Sequence, residues 1–147
     1  MGSRKHIVAE ARKKAKKNLY MAKLVNNPSS PRKARLIADA IRGVDVDKAL
    51  GILQYSQKES ALKFRKLLLS AIANWQSKNE GKRIEESNLY VKSILVDGGR
   101  QVKRLRTAPQ GRGYRIKKRS NHVTIVLEGR EDTKTQVAQG LKTEESK

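Results

Sequence analysis

Nine Lys or Arg side chains and no acid fall between Gly98 and Arg119, in the stretch GGRQVKRLRTAPQGRGYRIKKR. The acid-free run continues to Leu127. Arg100, Arg104, Arg106, Arg112, Arg115 and Arg119 outnumber Lys103, Lys117 and Lys118. A guanidinium group binds phosphate through two parallel N–H bonds and also stacks on bases, which an ammonium does not. The chemistry available here is therefore non-covalent recognition of a polyanion. Catalytic chemistry finds no comparable support. Only two histidines are present, His6 and His122, and there is no cysteine. A metal set would need both histidines and scattered carboxylates to converge by coincidence. Glu85-Glu86 reads as a loop pair without a pocket to tune either carboxyl. Gly111-Arg112-Gly113 is not a phosphate loop, because no helix follows it. No catalytic residue, cofactor or metal is expected.

The cations need an element that holds them. Ala108-Pro109-Gln110-Gly111 carries turn residues. Val102 and Leu105 before it, and Tyr114 and Ile116 after it, suit strands. The stretch reads as a β-hairpin. Neighbouring residues of a strand point to opposite faces, so Lys103 and Arg104, like Lys117 and Lys118, charge both sides of it. A hairpin basic on both faces cannot lie on a protein core, since unpaired buried charge is too costly. Each half spans about ten residues, roughly 33 Å, against a diameter of about 26 Å for so small a domain. The arm must project, into surroundings that supply negative charge all round.

The remaining elements follow in order. Residues 1–18 form a basic extension, in which Arg4, Lys5, Arg12, Lys13, Lys14, Lys16 and Lys17 face a single acid, Glu10. It reads either as a solvated, disordered tail or as one that orders on RNA. Leu19–Val25 looks like a strand, and Asn26-Asn27-Pro28-Ser29 a turn. A helix then starts with Ser30 as N-cap and Pro31 in its first turn, and stops at Gly43. Its buried face is Ala34, Ile37, Ala38 and Ile41. Arg32, Lys33 and Arg35 crowd its first turns, where the helix dipole favours acids, which points to an anionic partner. Asp45 or Asp47 starts a short second helix. Ser56-Gln57-Lys58-Glu59 reads as a capping box opening a long third helix, roughly Gln57–Ser77, with Phe64, Leu68, Ile72 and Trp75 in the core. Asn79-Glu80-Gly81 ends it. Leu89–Val96 is a strand whose apolar alternation changes phase, so a bulge or strong twist is expected near Lys92-Ser93. The arm follows Gly98-Gly99 and returns through a strand at His122–Leu127. Residues 131–147 read as a flexible polar tail.

A formal charge of +20 over 147 residues exceeds what solubility requires and attracts polyanions. An acidic membrane is a poorer partner: no helix sets a large apolar face against Lys and Arg, and no apolar run approaches a span. No secretory signal is recognised, and the lack of cysteine fits a reducing compartment. The low aromatic fraction, 4%, disfavours a single-strand binder built on stacking platforms. A narrow arm charged on every side suits a crevice in folded RNA. A DNA-architectural protein with a β-arm and a tip proline is the competing class.

At this point the chain resembles a known family. Residues 30–43 (SPRKARLIADAIRG), Ala49-Leu50-Gly51-Ile52-Leu53, Ser70-Ala71-Ile72-Ala73-Asn74 and Val96-Asp97-Gly98-Gly99 are similar to segments of the bacterial large-subunit ribosomal protein family numbered twenty-two. So, more specifically, are Lys103-Arg104-Leu105, Gly111-Arg112, Arg115-Ile116, Lys118-Arg119 and His122 with the alternating residues after it. The resemblance covers about 19–130 and implies an α+β fold: three helices packed on a small antiparallel sheet of about three strands, with a long projecting hairpin at 98–119. It implies a place in the cytoplasmic ribosome, with large-subunit rRNA, neighbouring ribosomal proteins and the nascent polypeptide as partners. Carried over by position, Lys103, Arg104, Arg112, Arg115, Lys118 and Arg119 are rRNA contacts. With the other cations of the arm (Arg100, Arg106, Lys117), those of the first helix (Arg32, Lys33, Arg35) and His122, they make the expected rRNA-binding set. Ala108, Pro109, Gln110, Gly111 and Arg112 would form a tip lining the peptide exit tunnel. The family pattern has a basic residue and then a small one where this chain has Ala108 and Pro109. That removes one cation and stiffens the turn.

Overall fold

The computed structural model describes residues 3–17, 19–79 and 87–130. The expected loop at Glu85-Glu86 and the tail at 131–147 lie outside them. Helix α1 (Ser3–Lys17) precedes strand β1 (Tyr20–Asn27), helices α2 (Pro31–Ile41), α3 (Val46–Tyr55) and α4 (Glu59–Lys78), and the long strands β2 (Leu89–Thr107) and β3 (Gly113–Gly129). The strands form one antiparallel sheet in the order β1-β3-β2. Three helices pack on it, α4 against β1 and β3, α2 against β2, and α3 against α4. The basic extension is helical, as its alanines permit, and every described side chain from 4 to 14 is exposed.

The helices start and stop largely where the sequence punctuates them. Ser30 is extended at the start of α2, Pro31 occupies the first turn and Gly43 adopts φ +75° beyond the end. Ser30 caps only through its carbonyl, which accepts from the Ala34 N–H at 3.1 Å. The capping box at Ser56–Glu59 does not form. Ser56 closes α3 instead, its N–H donating to the Ile52 carbonyl at 3.1 Å, and Lys58 precedes α4 with no side-chain cap. A missing cap costs about 1 kcal/mol. Full burial of one large apolar side chain contributes about 1.5–3 kcal/mol, and α4 buries Phe64, Leu67, Leu68, Ile72 and Trp75. Packing therefore outweighs the missing cap. Trp75 is 2% exposed and meets Tyr20 edge-to-face at 6.3 Å, so it is a core residue and not a stacking platform.

The inner face of the sheet is built by Ala22, Leu89, Val91, Ile94, Val96, Val123, Ile125 and Leu127, all buried. The phase change on β2 is a bulge. Val91 pairs with Leu127 and Ser93 with Val126, leaving Lys92 as the extra residue, and this keeps both apolar pairs pointing inward. At the same place the α2–α3 turn docks on the sheet edge, since the Val91 N–H donates to the Val44 carbonyl and the Gly43 N–H to that of Val91. That pairing covers an otherwise open edge of β2.

Candidate nucleic-acid interface

The arm is not an appended hairpin. It is the outer half of two strands whose inner halves are core, so β2 and β3 run from the buried sheet straight into solvent. Pairing continues from Gln101↔Arg119 through Lys103↔Lys117 and Leu105↔Arg115 to Thr107↔Gly113, and every residue from 100 to 107 and from 111 to 119 is exposed. Directly paired residues share a face. One face thus presents Lys103, Arg115, Lys117 and Arg119 with Leu105. The other presents Arg104, Arg106 and Lys118 with Val102, Tyr114 and Ile116. Arg112 stands at the tip. Among the described residues no carboxylate pairs with any of the nine cations, and Arg104 Nη1 donates only to its neighbour's carbonyl, Lys103 O, at 2.9 Å.

The tip is a single turn at Pro109–Gly111. The Ala108 N–H donates to the Arg112 carbonyl at 2.9 Å and closes it. Gln110 and Gly111 are both left-handed, at φ +63° and +69°. For glutamine this conformation costs about 1 kcal/mol, for glycine almost nothing.

The root is fixed by small and amide side chains. The register slips between Gly98 and Gln101, so Gly99 and Arg100 form a second bulge where core strand becomes arm. Ser120 Oγ donates to the Arg100 carbonyl at 2.5 Å. A Cβ on Gly99 would lie 2.7 Å from that hydroxyl oxygen, which is why glycine is needed there. Asn121 is fully buried. Its Oδ1 accepts from Asn27 Nδ2 at 3.1 Å and its Nδ2 donates to the Ser29 carbonyl at 2.8 Å. His122 is half-buried beside it, its Nδ1 accepting from the Asn26 N–H at 3.0 Å. A neutral imidazole whose Nδ1 accepts carries its proton on Nε2, so that nitrogen is the donor left for a ligand.

The loop before α2 is thus tied to the arm root, and Arg32, Lys33 and Arg35 are brought to that end of the domain. All three are exposed. Arg35 also has a structural task, donating to the Val96 carbonyl at 3.2 Å. Asp97, opposite His122 in the ladder, is an acid at this end of the sheet; the ion-paired acids of the sheet lie elsewhere. At the opposite end of the sheet, Asp45 accepts from Arg130 at 2.7 Å and from Lys48 at 3.1 Å. There Glu128 accepts from Lys92 at 2.6 Å and from the Tyr90 hydroxyl at 2.7 Å. Burial alone would raise the Glu128 carboxyl, but these two hydrogen bonds and the Lys92 charge hold it below its ordinary value. The Glu128 hydrogen bond likewise raises Lys92. Asn121 is the site residue the sequence did not single out: an amide amid alternating apolar residues gives no sign of whether it faces core or solvent. The apolar face of the arm was legible as strand composition only.

The family model described as ribosomal protein L22p/L17e matches residues 22–128, which take in most of the sheet, helices α2 to α4 and the whole arm. The chain belongs to the uL22 family of large ribosomal subunit proteins. It is 60% identical over 128 residues to large ribosomal subunit protein uL22 of Porphyromonas gingivalis, spanning 87% of this chain and 95% of that one. It is 57% identical over 136 residues to the uL22 of Bacteroides fragilis, spanning 92% and 99%. With that of Flavobacterium psychrophilum the identity is 60% over 127 residues, spanning 86% and 93%. The competing class, a DNA-architectural protein, falls with this finding.

Proposed function

We propose that this uL22-family member, a structural constituent of the large subunit of the cytoplasmic ribosome, binds rRNA with the stem of its arm and lines the nascent-peptide tunnel with its tip. The observation that carries the reading is the placement of charge. Nine exposed cations lie along a projecting hairpin, on both its faces and at its root and tip, with no carboxylate of the described residues to neutralise them. Only surroundings that are anionic on all sides satisfy such an arm, and a crevice of folded RNA is one. Arg32, Lys33 and the free nitrogen of His122 extend the same surface onto the domain, so that several rRNA segments are bridged during assembly. The uncharged Ala108–Gly111 turn adds little affinity for phosphate and presents backbone and small side chains to a passing polypeptide.

Replacing Arg104, Arg115 and Lys118 by Gln tests the electrostatic part. Affinity for large-subunit rRNA should fall, and the slope of log affinity against log salt should flatten by roughly 0.7–0.9 for each phosphate no longer neutralised. An unchanged slope would show that these side chains do not neutralise phosphate.

A further inference from the structure

The two faces of the arm are not equivalent. On the face of Lys103, Arg115, Lys117 and Arg119, the lone large apolar residue, Leu105, leans toward Gly113 across the ladder, its Cδ2 3.8 Å from where a Cβ would sit. On the other face the apolar side chains are contiguous. Tyr114 and Ile116 are consecutive along one side of β3, and Val102 lies diagonal to Ile116 across the ladder. Val102 and Ile116 shelter each other, at 37% and 39% exposed, but Tyr114 stands clear at 65%. Directly opposite Tyr114 is Arg106, and diagonal to it is Arg104.

Tyr114 also differs from Tyr20 and Tyr90, while Tyr55 is likewise exposed but lies on α3, away from the arm. Tyr20 packs on Trp75, and its hydroxyl donates to Asn79 Oδ1 at 3.3 Å. Tyr90 donates to Glu128 and lies under the Arg130 guanidinium, 5.9 Å from its ring centroid. Among the described residues Tyr114 has neither a hydrogen bond, a ring partner nor a cation over its face.

We propose that Tyr114 is a base-stacking residue, and that the face of Val102, Tyr114 and Ile116 with Arg104, Arg106 and Lys118 meets nucleotides, base and phosphate together, while the opposite face meets phosphates alone. The assignment rests on the reading of the arm as RNA-binding. An occupant of this face must offer a flat apolar surface to Tyr114 and negative charge to guanidinium groups one residue away. A nucleotide carries both, a base and its phosphate, at that spacing. An apolar protein surface would leave Arg104 and Arg106 buried without partners, which is costly. A bare phosphate backbone would leave the ring unused. Stacking on an aromatic ring needs no particular base, so this contact adds affinity and fixes the arm's register without reading sequence.

The test compares full-length Tyr114→Leu and Tyr114→Phe with the unaltered chain, binding large-subunit rRNA transcribed in vitro over a range of salt. The Arg104/Arg115/Lys118→Gln variant is measured alongside. Tyr114→Leu should weaken binding by between about 5-fold and 150-fold, the range expected for removing one base stack. Its salt slope should match that of the unaltered chain, because every phosphate-neutralising cation is kept. Tyr114→Phe, which keeps the ring, should bind within about twofold of it. Tyr114 lies outside the core, so neither thermal midpoint should move. Binding by Tyr114→Leu within twofold, a flattened slope in that variant, or an equal loss in Tyr114→Phe would each overturn the stacking assignment while leaving the arm's phosphate contacts standing. If the triple Gln variant and Tyr114→Leu both keep full affinity and slope, the RNA reading of the arm fails, and this proposal with it.

Discussion

Glu128 lies at the end of β3 farthest from the arm, 14% exposed and holding Lys92 and Tyr90. Its lowered pKa has a definite sign for stability. A carboxyl depressed in the folded state stabilises above its unfolded pKa, about 4.3, and that contribution is lost as pH falls through the folded value. Lys92, raised, contributes fully below its unfolded value of about 10.4 and loses the contribution as pH rises through its folded one. The pair therefore stabilises over the whole neutral range. Lys92 is half exposed, so solvent limits the pair to about 1 kcal/mol. Glu128→Gln should lower the thermal midpoint by a few degrees at neutral pH. The difference from the unaltered chain should shrink as pH falls from the ordinary carboxyl range through the lowered folded pKa, below which both carry a neutral side chain at this position. A difference that stays constant down to strongly acid pH would place the effect in packing instead.

Among the elements, the arm and α4 occupy opposite extremes. The arm has a full ladder of backbone hydrogen bonds but no buried side chain between 100 and 107 or between 111 and 119, whereas α4 buries one whole face. A two-stranded ribbon is marginal alone in water, and local opening tracks apolar contact. In the free protein, amide hydrogen exchange should be fast over Arg100–Arg119 and slow over Phe64–Ile72. Equal protection would mean the arm is held by something other than its ligand. The same contrast explains what could be read beforehand. Pro31, Gly43 and the 3.6-residue stripes of α2 and α4 are local signals, and so is the phase change that located the Lys92 bulge. The failed capping box is also local, but there a three-residue connection and the burial of α4 decided where the helix begins. Asn121, Arg35 and the Gly99 bulge draw their roles from partners 20 to 94 residues away in sequence, so no window around them could reveal them.

Along the sheet and the arm, charge is sorted by position: the ion-paired Asp45 and Glu128 at one end, Asp97 at the arm root, cations with no carboxylate partner among the described residues on the arm, and an uncharged turn at its tip. This predicts a division of labour. Deleting Ala108–Gly111 and rejoining the strands with a short turn should leave incorporation into large subunits nearly intact, while altering peptide stalling or the access of tunnel-binding drugs. Neutralising Arg104, Arg115 and Lys118 should impair incorporation first. Comparing the two variants by sedimentation and by a stalling reporter checks both halves. Loss of incorporation in the tip deletion, with normal incorporation after stem neutralisation, would reverse the roles.

The bulge at Gly99 and Arg100 has a mechanical consequence. Beyond it the ladder runs about 25 Å to the turn, and on its RNA it acts as a lever. A lever that long converts a rotation of about 10° at its fulcrum into a tip displacement of about 4 Å, roughly the gap between two adjacent strands. The fulcrum is set by three small features: the bare Cα of Gly99, the Ser120 hydroxyl on the Arg100 carbonyl and the Asn121 amide locked to Asn27 and Ser29. Where the tip points is therefore decided at the far end of the lever, by side chains that never touch whatever the tip meets.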